Sequence, residues 1–180
     1  MNQKTNQIKA VLFDYGGVLA DEGFRNGLAA IARRQGLDPE QLVAQALEAV
    51  YDSGYVLGRG TEAEFWQALE ARSGLAGDFS EFRQELMSGF RLRPWMIEWV
   101  DRLKQAGYRV GILSDQTDWL DQLDRRDHFQ GHFDVVFNSY HLGMGKRDVA
   151  IFPEVARRLN LTPEQILFID DSPGHIERAR

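Results

Sequence analysis

Polar side chains stand where several apolar runs of this chain end, and their types suit chemistry on an anionic group. Asp14 closes the run 8–13 and is followed by Tyr15-Gly16-Gly17. Ser114 and Asp115 close the run 108–113, Lys146 follows Gly143-Met144-Gly145, and Asp170 and Asp171 close the run 166–169. A carboxylate can attack as a nucleophile, a serine hydroxyl can donate to a developing oxyanion, and a lysine can balance the charge. A carboxylate pair can hold a hard divalent cation. Each residue taken alone has a plainer use: turn aspartate, turn serine, solvated lysine, helix N-cap. Their value lies in the combination, because strand ends of an open α/β sheet converge where such folds bind ligands.

The elements needed to position them can be read from the pattern. The run 8–13 is a buried strand, and further strands are expected at 108–113, 133–137 and 166–169. Between the first and second, residues 22–90 turn helical in period, with apolar stripes at Leu28, Ile31 and Ala32, then Leu42, Ala46, Leu47 and Val50. Asp38-Pro39 supplies an N-cap and first-turn proline, and Thr61-Glu62-Ala63-Glu64 is a capping box ahead of Phe65, Trp66 and Leu69. Phe79, Phe82 and Leu86 mark a fourth helix, Pro94 opens a fifth that Gly107 ends, and another covers about 149–160. Alternating strands and helices predict right-handed crossovers and a parallel sheet covered on both faces. The fold class expected is therefore α/β, a Rossmann-like core of 1–20 and 92–180 carrying an inserted α-helical domain, 21–91.

Composition bounds the function. With 180 residues the chain can bury a real core. Its 21 Lys and Arg against 27 Asp and Glu give a net charge of −6, which argues against non-specific nucleic-acid binding. No cysteine means no disulfide, zinc thiolate or thiol nucleophile. The polar opening 1–7 lacks the apolar stretch of a secretory signal, and no run approaches the ~18 apolar residues that would span a bilayer. A cytoplasmic protein with neither nucleic-acid nor membrane partner is the expectation. Nothing in the sequence specifies an oligomeric state.

The four segments together resemble the motifs of the haloacid dehalogenase-like hydrolase superfamily: Phe13-Asp14-Tyr15-Gly16-Gly17-Val18-Leu19, Leu113-Ser114-Asp115, Gly143-Met144-Gly145-Lys146 with Ile151-Phe152 behind, and Phe168-Ile169-Asp170-Asp171-Ser172. The helical insertion is similar to the cap of that family, as is Gly60-Thr61-Glu62-Ala63-Glu64-Phe65-Trp66. The resemblance implies that Asp14 attacks phosphorus to give an aspartyl-phosphate that water then hydrolyses. It implies Mg²⁺ held by Asp14, the Gly16 carbonyl and Asp171, with Asp170 acting through water. Ser114, with Asp115 beside it, would bind the phosphoryl group, and Lys146 would balance charge. The family frame predicts a Mg²⁺-dependent phosphatase of a small phosphorylated metabolite such as a sugar phosphate. Two alternatives stand beside it: a module that binds phosphorylated ligands without turnover, and a 2-haloacid dehalogenase, which needs no metal.

Three positions depart from the family pattern. The residue two after the nucleophile is commonly a second aspartate that serves as general acid and base; here it is Gly16, although some sugar-phosphate phosphatases carry glycine there. Without that side chain a poor leaving group loses about 10²–10⁴ in rate, unless Asp21, His141 or water supplies the proton. Arg147 replaces a usual proline and is expected to face solvent rather than clamp a phosphate. Gly174-His175 stands where an asparagine is common, with His175 read as a helix-surface or packing residue. The family also continues past the helix beginning near Pro173 into another strand, so further residues beyond Arg180 are an expectation.

Overall fold

The computed structural model describes residues 7–180, so the polar opening lies, but for Gln7, outside the described residues. Four parallel strands form one sheet in the order β3-β2-β1-β4: β1 (Ala10–Phe13), β2 (Arg109–Ser114), β3 (Val135–Asn138) and β4 (Ile166–Ile169). β1 is central, with Phe13 opposite Ile112 on one side and Ile169 on the other. Period-two alternation sends Val11, Phe13, Val110 and Ile112 to one face. Ala10, Leu12 and Leu113 go to the other. The first face packs on α5 (Pro94–Gln105) and α6 (Trp119–Asp127) through Met96, Ile97, Val100, Leu120 and Leu123. The second packs on α8 (Ile151–Leu159) through Ile151, Val155 and Leu159. Each such fully buried side chain contributes about 1.5–3 kcal/mol.

Between β1 and α5 lie α1 (Gly23–Gln35), α2 (Pro39–Asp52), α3 (Glu62–Ser73) and α4 (Phe79–Gly89), with no strand among them. They share a separate apolar cluster that includes Leu28, Ile31, Leu42, Ala46, Phe65, Leu69 and Leu86. The local signals act as read: Asp38 Oδ1 accepts the Gln41 N–H at 2.8 Å, and both hydrogen bonds of the Thr61–Glu64 capping box are present. The block leaves and rejoins the sheet domain at neighbouring points. Ala20 bridges Leu92 antiparallel, the Asp21 N–H reaches the Arg91 carbonyl at 2.9 Å, and the Arg93 N–H reaches Leu19 at 2.9 Å. Trp119, the first residue of α6, is the sheet domain's buried contribution to the block's own cluster, with Tyr140 packed against it. Its indole N–H donates to Glu62 Oε2 at 3.1 Å.

α6 and the short helix α7 (Ser139–Leu142) were not foreseen from the sequence. α6 carries Trp119, Leu120 and Leu123 among six polar residues, and a periodic signal over so few turns is weak. α9 (Pro173–Ala179) follows β4. No described helix is long and apolar enough to cross a membrane.

One core position is imperfect. Tyr15 is fully buried against Phe90 and Phe129, and its hydroxyl finds no hydrogen-bond partner among the described residues. An unsatisfied buried hydroxyl costs about 1–3 kcal/mol. Tyr15→Phe should therefore unfold at an equal or higher urea midpoint; a loss above about 1 kcal/mol would show that the hydroxyl is satisfied in solution.

Candidate active site

All four strands run parallel, so their carboxyl ends meet at one edge, and the polar residues are gathered there. The Asp14 N–H extends the ladder to the Ile169 carbonyl at 2.8 Å, which fixes the backbone at the tip of β1. Its Oδ1 accepts the Tyr15 N–H at 2.7 Å and the Ser114 hydroxyl at 2.6 Å. Its Oδ2 lies 2.8 Å from Lys146 Nζ, which also sits 2.6 Å from Asp170 Oδ2. Lys146 is fully buried, with its ammonium 5.5 Å from the centre of the Phe168 ring. Its backbone is fixed as well, since the Lys146 N–H donates to both Asp115 carboxylate oxygens at 2.8 and 3.0 Å. Tyr51 on α2 donates its hydroxyl to the same carboxylate.

These contacts set the charge states. Burial, with the Asp170 charge adding to it, holds the Asp14 carboxyl above the usual range, although Lys146 pulls the other way. Burial also works against the Asp170 anion. His175, Lys146 and the Ser172 N–H outweigh it and hold that carboxyl well below the usual range. Burial opposes the Lys146 cation, yet Asp14, Asp115 and Asp170 together push its pKa up, so the ammonium stays charged.

Above the tips lies a cavity of about 480 Å³ between the sheet edge and the helical block, a size that suits a small ligand. Asp14, Gly16, Ser114, Asp115, Lys146 and Asp171 all line it. The helical block contributes Leu47, Val50, Tyr51 and Tyr55, and Arg25, Arg147 and Arg178 bring positive charge. Arg147 does more than face solvent: its guanidinium stacks 4.0 Å from the centre of the Tyr51 ring and lies 3.0 Å from Glu48. Asp170 stands behind the cavity wall, its side chain fully buried. His175 lines the cavity as well and turns its ring to that carboxylate, with Nδ1 3.1 Å from Asp170 Oδ2.

The carboxylates can be tested as a metal site. Ligand atoms of Asp14, Asp170 and His175 lie within 4.8 Å of one another. That group already encloses the Lys146 ammonium, and a cation placed there would compete with it. Asp171 is the freer ligand: it lines the cavity, is exposed, and has no ion-pair or hydrogen-bond partner among the described residues. It rests over Gly17, whose φ of +77° suits glycine and where a Cβ would run into the Asp171 carboxylate. Asp14 and Asp171 both line this cavity, and carboxylate oxygens are the hard donors that a divalent cation such as Mg²⁺ takes.

Two sequence candidates fall outside the site. Asp21 pairs with Arg91 at 3.3 Å and Arg93 at 3.2 Å, at the junction of block and sheet domain. His141 is exposed and pairs with Asp121 at 2.8 Å, away from the cavity lining. Sequence reading missed Glu22, which lines the cavity and caps α1: its Oε1 accepts the N–H groups of Phe24 and Arg25 at 3.1 and 3.2 Å. Burial, with Asp14 and Asp171 adding to it, raises its pKa. The one available signal was a glutamate immediately ahead of a helix, outside the preferred Ser, Thr, Asp and Asn caps.

Among curated proteins, the chain is 28% identical to rat (Rattus norvegicus) bifunctional epoxide hydrolase 2 over 56% of its own length, and spans about a fifth of that protein, 19%. It is 23% identical to the GMP/IMP nucleotidase YrfG of Escherichia coli over 99% of this chain and 81% of that one. Among solved structures, the HAD family enzyme BT-2542 of Bacteroides thetaiotaomicron, in complex with magnesium and inorganic phosphate, superposes with a TM-score of 0.72 at 22% identity, covering 96% of this chain and 89% of the other. The L-2-haloacid dehalogenase of Xanthobacter autotrophicus superposes at 0.67 and 21% identity, covering 96% and 74%. At these identities the structural likeness speaks to fold alone. The family model for haloacid dehalogenase-like hydrolase matches residues 8–180, nearly the whole chain, and by that match the chain belongs to the haloacid dehalogenase-like hydrolases.

Proposed function

We propose that this hydrolase is a Mg²⁺-dependent phosphatase of a small phosphorylated metabolite. The observation that carries the reading is that Asp14, held by Lys146, Ser114 and the Tyr15 N–H, shares its cavity with Asp171, which has no partner among the described residues. A metal-free dehalogenase would have to bring its carboxylate substrate up to Asp14 and Asp171, with Lys146 already engaged by Asp14 and Asp170 and only the arginines of the cavity wall left to offset the repulsion. The nucleotidase YrfG and the magnesium- and phosphate-bound BT-2542 agree with phosphate chemistry in the family.

In this reading the Asp14 carboxylate attacks phosphorus, and the leaving alcohol departs from the opposite side. Lys146 stays between Asp14 and Asp170 and offsets the charge that gathers as two anions meet. The Ser114 hydroxyl, which donates to Asp14 at 2.6 Å, turns to a phosphoryl oxygen once substrate is bound. Asp14 and Asp171 would hold Mg²⁺, which supplies charge neutralisation at the phosphoryl oxygens. The helical block acts as a cap that shapes the substrate and excludes water. Tyr51 links that cap to Asp115 and so to the backbone of Lys146.

The test is a screen of phosphorylated metabolites with Mg²⁺ or with EDTA, on the wild type and Asp171→Ala. Turnover should need Mg²⁺, and Asp171→Ala should lose at least about 10²-fold, with weaker Mg²⁺ dependence, while its far-ultraviolet dichroism is unchanged. Halide release without metal would support the dehalogenase, and tight phosphate binding without turnover would support a binding module.

A further inference from the structure

Gly16 leaves a side chain's worth of space two residues beyond Asp14, and another part of the chain fills it. A Cβ built on Gly16 would lie 3.3 Å from Glu22 Oε2 and 3.4 Å from Phe90 Cε1. Glu22 is held there at both ends of its carboxylate's neighbourhood. Its backbone precedes α1, and Oε1 is occupied by the Phe24 and Arg25 N–H groups. Oε2 is therefore left to face Gly16 and the cavity that Asp14 and Ser114 also line. Phe90, fully buried, is the other neighbour of that space and does not line the cavity. Asp21 and His141, the other proton donors the sequence offers, are engaged elsewhere by Arg91, Arg93 and Asp121.

On the phosphatase reading above, we propose that Glu22 is a catalytic residue that carries the proton which a side chain at position 16 would otherwise carry. As Asp14 forms its bond to phosphorus and the bond from phosphorus to the leaving oxygen breaks, the Glu22 carboxylic acid gives its proton to that oxygen and the alcohol leaves. The resulting Glu22 carboxylate takes a proton from water as the water oxygen bonds to phosphorus. The bond from phosphorus to Asp14 breaks, releasing inorganic phosphate and restoring the Asp14 carboxylate and the Glu22 acid. The general acid thus comes from the N-cap of the first cap helix. Its place at the site depends on that helix being docked, so proton transfer is tied to cap closure.

The substitution that separates this role from helix capping is Glu22→Gln, whose amide oxygen can still accept from Phe24 and Arg25 but which has no proton to transfer. The probes are 4-nitrophenyl phosphate, whose leaving group needs no proton, and a series of alkyl phosphates, all assayed with Mg²⁺. Glu22→Gln should lower kcat on the alkyl esters by about 10²-fold or more, and on the aryl ester by less than tenfold. Gly16→Asp alone should lower alkyl turnover, because a second carboxylate grows out beside Glu22 Oε2 and the two acids repel, a repulsion that glutamine at position 22 removes. In the Glu22→Gln background the same change should raise alkyl turnover at least tenfold. Equal losses on both ester classes, no loss on either, or a wild type that cleaves aryl but no alkyl esters would overturn the assignment of Glu22. Failure of the phosphatase reading looks different: no phosphate ester is cleaved, or aryl turnover survives Asp14→Asn, and either result removes this proposal with it.

Discussion

Asp14→Asn is expected to lose phosphate-ester turnover by on the order of 10⁴-fold or more, because it removes the proposed nucleophile while changing almost nothing else. The amide oxygen can take over both hydrogen bonds of Oδ1, from the Tyr15 N–H and the Ser114 hydroxyl. The amide nitrogen then faces Lys146, donor against donor, but Lys146 keeps Asp170 at 2.6 Å. Burial already holds the Asp14 carboxyl above its usual range, so the loss of that charge relieves a desolvation cost and the Asp170 repulsion. Stability should accordingly stay within about 1–2 kcal/mol of the wild type, read from urea unfolding. A folded variant retaining more than a hundredth of wild-type turnover would place the nucleophile elsewhere.

Lys146→Met should have the largest effect on stability. Methionine is unbranched and close in length, so packing against Phe168 is largely kept. What disappears is the one cation between two buried carboxylates. Breaking a buried pair from one side costs about 3–5 kcal/mol, a large part of a stability of about 5–15 kcal/mol. Adding Asp170→Asn should return at least about 1 kcal/mol, since the orphaned anion is then gone. That double variant remains informative if the single one does not fold. Urea unfolding measures both, and a Lys146→Met protein within about 1 kcal/mol of wild type would mean that the ammonium does not hold the site together.

What the sequence made legible follows physical locality. The strand ends were visible because a buried parallel strand is a short apolar run and its polar terminus stands out, as Asp14 and Asp170 do. Helices with a cap and a clear stripe were equally plain: Asp38-Pro39 opens α2 and Thr61 opens α3 as read. Contacts made across the fold were not. Nothing near Tyr51 in the chain announces Asp115, which is 64 residues away, and nothing near Trp119 announces Glu62. Glu22 was overlooked for the same reason. Its meaning depends on an empty position six residues earlier, and helix geometry rather than spacing brings the two together. Arg147 shows the limit of composition: a charged residue beside a glycine loop reads as solvated, whereas the Tyr51 ring gives it a flat surface to stack on.

The bridge between Ala20 and Leu92 makes the helical block modular. Because departure and return are already paired like the two arms of a hairpin, a turn of two to five residues could in geometry replace everything between them without disturbing the sheet. The sheet domain thus offers a socket whose paired ends could in geometry accept an insert of another size. Such exchange carries two debts. Trp119 would lose the apolar partners the present insert provides, and the glutamate at the insert's threshold is itself part of what would be traded. A different insert at this doorway would have to cover Trp119 again and, on the proposal above, supply the acid again.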